Sequence, residues 1–279
     1  MVDWLFFHNF MVAKTQVMSN FPTNLTDKQW QFIKNKVEVK QRKRKYSLRE
    51  IINAIMYLTK TGCQWRMLPK DFGPWQTVYS YFRKWKFEGL FEEVMLYLRE
   101  TVRKQCGRNV SPSVGLIDSR SVRTSHHIDS SEYGIDGGKK IKGRKEHIIV
   151  DTLGLPMAAK VHAANIYDSI GALQPIKELK FLYPRLKKII ADGGYTGEPL
   201  AAAVKEMGWE LSVVLRPKES SKRFQVIPLR WIVERTFSWI ENYRRMTTDY
   251  ERKTETAEAM LQITFCQIML KKLSKKLIE

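Results

Sequence analysis

A chain of 279 residues is long enough for a small module plus one larger domain with a sizeable core. Its 48 Lys and Arg against 29 Asp and Glu, a formal net charge of +19, favour a partner with regularly spaced negative charge, nucleic acid ahead of a membrane surface. With 43% hydrophobic residues and its charge spread through periodic segments, the chain is not a disordered basic arm, and no apolar run approaches the roughly 20 residues of a membrane span.

Residues 1–20 read as an N-terminal extension: Trp4 to Val12 is apolar but has no basic leader or clear cleavage site, which points to a cytoplasmic protein. Thr26-Asp-Lys-Gln29 then forms a capping box, followed by Trp30, Ile33 and Val37 at helical spacing, so a helix of about three turns is expected. A basic run containing Arg42, Lys43, Arg44 and Lys45 leads to a second capping box, Ser47-Leu-Arg-Glu50. That box opens a helix with Ile51, Ile52, Ile55, Met56 and Leu58 as its stripe and Gly62 as its stop. Gly73-Pro74 starts a third helix, with proline at the first helical position. There Trp75, Val78, Tyr79, Phe82 and Trp85 share one face and Thr77, Ser80, Arg83 and Lys84 the other. An apolar side that packs and a hydroxyl-and-basic side that reaches base edges and phosphates is what a recognition helix needs. A solvated polar face on an ordinary amphipathic helix would look the same; the adjacent basic run favours DNA.

From about residue 112 the texture changes to short Val- and Ile-rich runs. Val114 to Ile117 reads as a buried strand leading into Asp118, and His147 to Val150 and Met157 to Val161 as a hairpin around Leu153-Gly154. Residues 123–146, rich in Ser, His, Gly and Lys, read as a mobile basic loop. Gly171 to Leu182 and Pro199 to Met207 look helical, Lys188 to Ala191 is a short strand ending at Asp192, and Leu211 to Leu215 is another. From about Pro228 the chain reads as helical to its end. The expected fold class is α/β, a mixed sheet flanked by helices over residues 111–279, preceded by a small all-α, helix-turn-helix-like module over 21–110. Cys63, Cys106 and Cys266 have no spacing that suits zinc or a disulfide framework and read as reduced and buried.

Asp118 and Asp192 each end an apolar strand, where sites in such sheets form. Glu234 lies on the late helix with Arg230 one turn before it on the same face. Three converging carboxylates repel one another unless cations sit between them, and Mg2+, with Mn2+ able to substitute, suits an all-oxygen set. Two such ions about 3.5–4 Å apart would activate an attacking hydroxyl and stabilise the leaving oxygen at phosphorus. From spacing alone these carboxylates could equally be solvated surface groups.

Gly115-Leu-Ile-Asp118-Ser, Ile190-Ala-Asp192-Gly-Gly-Tyr-Thr-Gly197 and Arg230-Trp-Ile-Val-Glu234-Arg-Thr-Phe-Ser-Trp239 resemble, in order and spacing, the catalytic blocks of DDE transposases of the IS5 group (IS4/IS5-like) of bacterial insertion sequences. Lys142-Gly-Arg-Lys-Glu-His147, Val161-His-Ala-Ala-Asn165 and the Trp75 to Phe87 block extend the resemblance over residues 22–272. It implies a ribonuclease H-like catalytic domain and Asp118, Asp192 and Glu234 as the metal-binding catalytic triad. It also implies Arg230, Tyr243, Arg244 and Arg245 on the phosphate backbone, with Lys142, Arg144 and Lys145 as further DNA contacts. The implied partners are double-stranded DNA, as terminal inverted repeats and target, and a second copy in an active homodimer acting at the nucleoid. Relatives place a basic residue two turns after the glutamate, where this chain has Glu241. Two other readings are a catalytically inactive repressor and a domesticated nuclease that cuts without joining.

A two-metal mechanism needs no histidine, so His126, His127, His147 and His162 read as loop, DNA-contact or structural residues. Trp231 and Trp239 suit either core packing or stacking on an unpaired base.

Overall fold

A computed structural model describes residues 21–38, 43–214 and 229–276. Helix α1 (Asp27–Val37) opens on the expected capping box: Gln29 N–H donates to Thr26 Oγ1 at 3.2 Å, and Thr26 N–H to Gln29 Oε1 at 3.0 Å. The Ser47–Glu50 box does the same for α2 (Leu48–Thr61), which stops at Gly62 in a left-handed conformation, φ 72°. Helix α3 (Trp75–Phe87) begins one residue after Pro74, which is thus its N-cap rather than its first helical residue. Helix α4 (Leu90–Gln105) follows from Gly89, φ 72°, with no side-chain cap, so no local sequence signal marks its start.

Six strands form one mixed sheet: β1 (Val114–Arg123), β2 (Gly134–Asp136), β3 (Ile141–Val150), β4 (Pro156–Ala163), β5 (Lys188–Asp192) and β6 (Glu210–Val214). β3 runs antiparallel to β1 on one edge and to β2 and β4 on the other, whereas β5 is parallel to both β1 and β6. Between β4 and β5 lie a single turn, α5 (Asp168–Gly171), and α6 (Leu173–Leu182). Helix α7 (Glu198–Glu206) connects β5 to β6, and α8 (Arg230–Glu241) and α9 (Thr254–Lys276) end the described chain.

Side chains alternate across the sheet with period two, and each face has its own core. Leu116, Ile148, Val150 and Ile190 face α8, α9 and the N-terminal helices; Ile117, Ile149, Ile189 and Ala191 face α6 and α7. Helix α9 packs on α4, α2 and α1 as well as on β4, and Gln267 Nε2 donates to Thr59 Oγ1 inside that packing. The first core therefore includes residues from both sides of residue 110.

Three expectations are corrected. Residues 123–146 do not form a mobile loop: β1 continues to Arg123 and β3 starts at Ile141, with Arg120 opposite Glu146 and Val122 opposite Arg144. The buried charges of β3 sit in the sheet because each has a partner of opposite charge: Arg144 has Asp249, Lys145 has Asp168 and Glu146 has Arg120. The chain is not helical throughout after Pro228, since residues 242–253 cross from α8 to α9 without forming an α-helix. Of the cysteines, Cys266 is buried while Cys63 and Cys106 are partly exposed, and all three are free. Among the described residues no helix is long and apolar enough to cross a membrane.

Candidate active site

Asp118 and Asp192 meet because β1 and β5 are parallel neighbours in a register that sets Leu116 opposite Ile190. The same offset carries Asp118 to the level of Asp192. Each carboxylate is steadied by the next turn of its own chain: Ser119 N–H donates to Asp118 Oδ1 at 2.7 Å, and Gly194 N–H to Asp192 Oδ1 at 3.0 Å. Burial pushes the Asp118 carboxyl up to about 6; the Ser119 N–H opposes the rise, Asp192 adds to it, and Lys139 and Arg230 draw it down.

Helix α8 lies across β1, β3 and β5 on Ile232, Val233, Phe237 and Ile240. The β3–β4 turn seats it: Arg235 donates to the Leu153 carbonyl at 3.2 Å and Thr236 Oγ1 to that of Gly154 at 3.1 Å. Gly154 has φ 78°, and a Cβ there would stand 2.8 Å from Thr236 Oγ1, so both the turn and the helix contact call for glycine. On the first turn of α8, Arg230 Nη1 reaches Glu234 Oε1 at 2.6 Å, and the Glu234 side chain remains 47% exposed. Arg230 thus stands near Asp118, with Glu234 held beside it. Among the described residues no three His, Cys, Asp or Glu side chains are gathered closely enough to hold a metal ion. Two of the three expected carboxylates are brought together, and the third is tied to an arginine.

Further groups at this edge were not anticipated as site residues. Asp168, on α5, accepts from Ser119 Oγ at 2.7 Å and from Lys145 Nζ at 3.1 Å. Behind it, His147 Nε2 is 3.7 Å from Asp168 Oδ1, and His147 Nδ1 is 3.0 Å from the Tyr195 hydroxyl. Burial, reinforced by His162, Lys145 and Lys139, holds His147 well below the usual imidazole value. Burial, then Asp118 and Asp168, raises Tyr195 well above the phenol value, so a neutral hydroxyl meets a neutral ring. His162 stacks on His147 at 4.7 Å. The sequence cue for Asp168 was slight, a carboxylate three residues beyond the Val161-His-Ala-Ala-Asn165 stretch.

The residues expected to contact DNA divide by exposure. Ser80, Arg83 and Lys84 are exposed and line a shallow concavity on α3 with Trp75, Gln76, Tyr79 and Phe87; Thr77 is half-buried beside them. Lys43 and Lys45 are exposed and Arg44 is half-buried, while Arg42 lies outside the described residues. Lys142 is exposed, its ammonium 5.0 Å from the centre of the Tyr133 ring, and Arg244 is exposed as well.

Four others are buried and engaged within the fold. Arg144 gives its donors to Asp249, Glu132 and the carbonyls of Glu132, Glu251 and Arg252. Lys145 is committed to Asp168 and the Ile166 carbonyl, and Arg245 to Glu251. Tyr243 is 2% exposed, under the ammonium groups of Lys60 and Lys271. Glu241 is exposed, with Arg120 Nη1 3.9 Å from its Oε1. Trp231, half exposed, and Trp239 flank the guanidinium of Arg235 at 4.7 and 4.8 Å.

Residues 110–270 match a family model described as "Transposase DDE domain", and residues 25–95 match one described as "Putative transposase of IS4/5 family". A curated protein of Burkholderia cepacia, "Putative transposase for insertion sequence element IS402", is 32% identical over 133 residues, which are 45% of this chain and 62% of that protein. The chain thus spans less than two thirds of this relative's length. Among solved structures, a piggyBac transposase synaptic complex with hairpin DNA aligns over 91% of this chain and 74% of its own, at 10% identity and TM-score 0.39. A simian T-cell lymphotropic virus intasome in complex with a PP2A regulatory subunit aligns over 48% of this chain and 40% of its own, at 14% identity and TM-score 0.31.

Proposed function

The chain belongs to the DDE transposase family of the IS4/IS5 group, and from that premise we propose that it cuts DNA at the ends of an insertion sequence and joins the freed 3′-hydroxyls to target DNA. The observation that carries the proposal is the juxtaposition of Asp118, midway along β1, with Asp192 at the end of the parallel strand β5, beneath the helix that bears Arg230 and Glu234. The antiparallel strands come first and the parallel ones after, which supports the ribonuclease H-like reading of the sheet. Helices α1–α4, with Ser80, Arg83 and Lys84 exposed on α3, support the reading of the N-terminal module as the part that grips the terminal repeats.

The family implies dependence on divalent metal ions, and the residues fit one. A half-buried carboxyl raised to about 6 beside a second carboxylate is an all-oxygen pair that a hard cation would stabilise in its charged form. Asp118 and Asp192 would hold Mg2+ or Mn2+, with Glu234 as the third carboxylate of the set. When bound, such ions supply Lewis acidity at the phosphorus and a more acidic attacking hydroxyl. The chain's own residues do the rest. Ser119 and Gly194 N–H groups orient the two carboxylates, and Arg230, close to Asp118, is placed to meet a phosphate oxygen. Holding two element ends together calls for a dimer.

Cleavage of end-bearing DNA in Mg2+ or Mn2+ by wild type and Asp192→Ala tests the reading. Cut 3′-hydroxyl ends and joined products are expected from wild type alone. Cutting by Asp192→Ala would remove the site assignment, and specific binding without cutting by wild type would favour a repressor.

A further inference from the structure

We infer that Asp168 is a positioning residue of the active site, holding Asp118 and Asp192 in mutual register for a divalent cation, a proposal that rests on the carboxylate reading above. Its two oxygens face different strands. Oδ1 accepts from the hydroxyl of Ser119, whose N–H fixes Asp118; Oδ2 lies 3.2 Å from the point where a Cβ on Gly194 would stand, as does Asp192 Oδ1. One side chain from α5 thereby touches the residue after Asp118 and faces the turn after Asp192. A side chain at position 194 would wedge between the two carboxylates, so glycine there keeps them adjacent.

Asp168 brings its own counter-charge, since Lys145, with its side chain 7% exposed, lies 3.1 Å away and turns the addition into a neutral pair. His147 backs that pair. Its Nδ1 is hydrogen-bonded to the hydroxyl of Tyr195, three residues beyond Asp192, and its fully buried Nε2 has no hydrogen-bond partner and lies 3.7 Å from Asp168 Oδ1. Ser119, Asp168, His147 and Tyr195 therefore span the gap between β1 and β5 independently of the backbone ladder. The approach of α5 depends on Gly171, where a Cβ would lie 2.2 Å from His162 Nε2 and 2.8 Å from His147 Nε2. An ordinary helix-start aspartate would instead cap its own helix; here Tyr167 is the N-cap and Asp168 accepts from another strand.

Mn2+ titration of the DNA-free protein by electron paramagnetic resonance tests the assignment, with melting temperature and DNA affinity measured in EDTA alongside. In Asp168→Asn and in Ser119→Ala, which removes a hydroxyl and no charge, the half-saturating Mn2+ concentration is expected to rise about 10–100-fold. DNA affinity in EDTA should stay at the wild-type value, and Ser119→Ala should melt like wild type. Wild-type half-saturation in both variants would overturn the proposal, as would a shift seen only in a variant whose melting temperature falls with it. Asp118→Ala is the separate control: Mn2+ binding unchanged there would remove the metal-site reading itself.

Discussion

Arg230 Nη1 lies 2.6 Å from Glu234 Oε1, one helical turn away, and the same guanidinium draws down the carboxyl of Asp118. Glu234 is thus neutralised by a residue of its own helix and half exposed, so little of the fold depends on it. Glu234→Gln is expected to abolish end cleavage while changing unfolding free energy by less than about 1 kcal/mol, as for other exposed ion pairs. Urea denaturation beside a cleavage assay checks both; a large stability loss would mean that the helix, not the chemistry, needs the carboxylate.

Asp118 gives the opposite stability signature. Its folded value of about 6 lies above its ordinary 3.8, so between those pH values the folded chain keeps a proton that the unfolded chain has lost. Stability from this group falls as pH rises through that window, and the full penalty persists above it. Asp118→Asn should stabilise the metal-free protein by about 1–3 kcal/mol at pH 8 and not at pH 3.5. Adding Mn2+ should raise the melting temperature of wild type and leave that of the variant unchanged. Equal melting temperatures at pH 8 in EDTA would contradict the buried-carboxylate account.

Arg144 uses all five of its N–H donors on Asp249, Glu132 and three carbonyls while fully buried. Arg144→Ala strands the Asp249 carboxylate and should cost about 3–5 kcal/mol in urea unfolding, with Arg144→Lys rescuing only part. A cost near zero would return Arg144 to the list of surface cations.

Arg83 and Lys84 should behave as phosphate contacts. Each substitution to Ala is expected to weaken binding to every DNA tested and to lower the slope of log affinity against log salt by about 0.9. Melting temperature should hold, because both side chains are exposed. An unchanged slope would place the DNA elsewhere.

The residues above also mark what local sequence carries. Helix starts were legible at Thr26 and Ser47 because a capping box is a four-residue signal. Asp118 and Asp192 were legible because each follows a contiguous apolar run, although only Asp192 ends its strand and the strand through Asp118 continues to Arg123. Arg144 and Lys145 were not, since Asp249 lies far along the chain and Asp168 on another element; without those partners, the basic residues of β3 look solvated. Asp168 itself enters the site only through pairing of strands remote in sequence, as do the crowding that calls for glycine at 171 and the tighter-than-usual fit at 194.

The long final helix has a consequence in time. Helices α1–α4 are synthesised first, yet the surface that completes their core is α9, which begins at Thr254. At 5–20 residues per second, the ribosome needs on the order of ten seconds or more to travel from α4 to the end of α9. Until then the N-terminal helices carry an uncovered apolar face. The packing beneath α3 and the packing on the strand that carries Asp118 are therefore completed together, when the last helix docks.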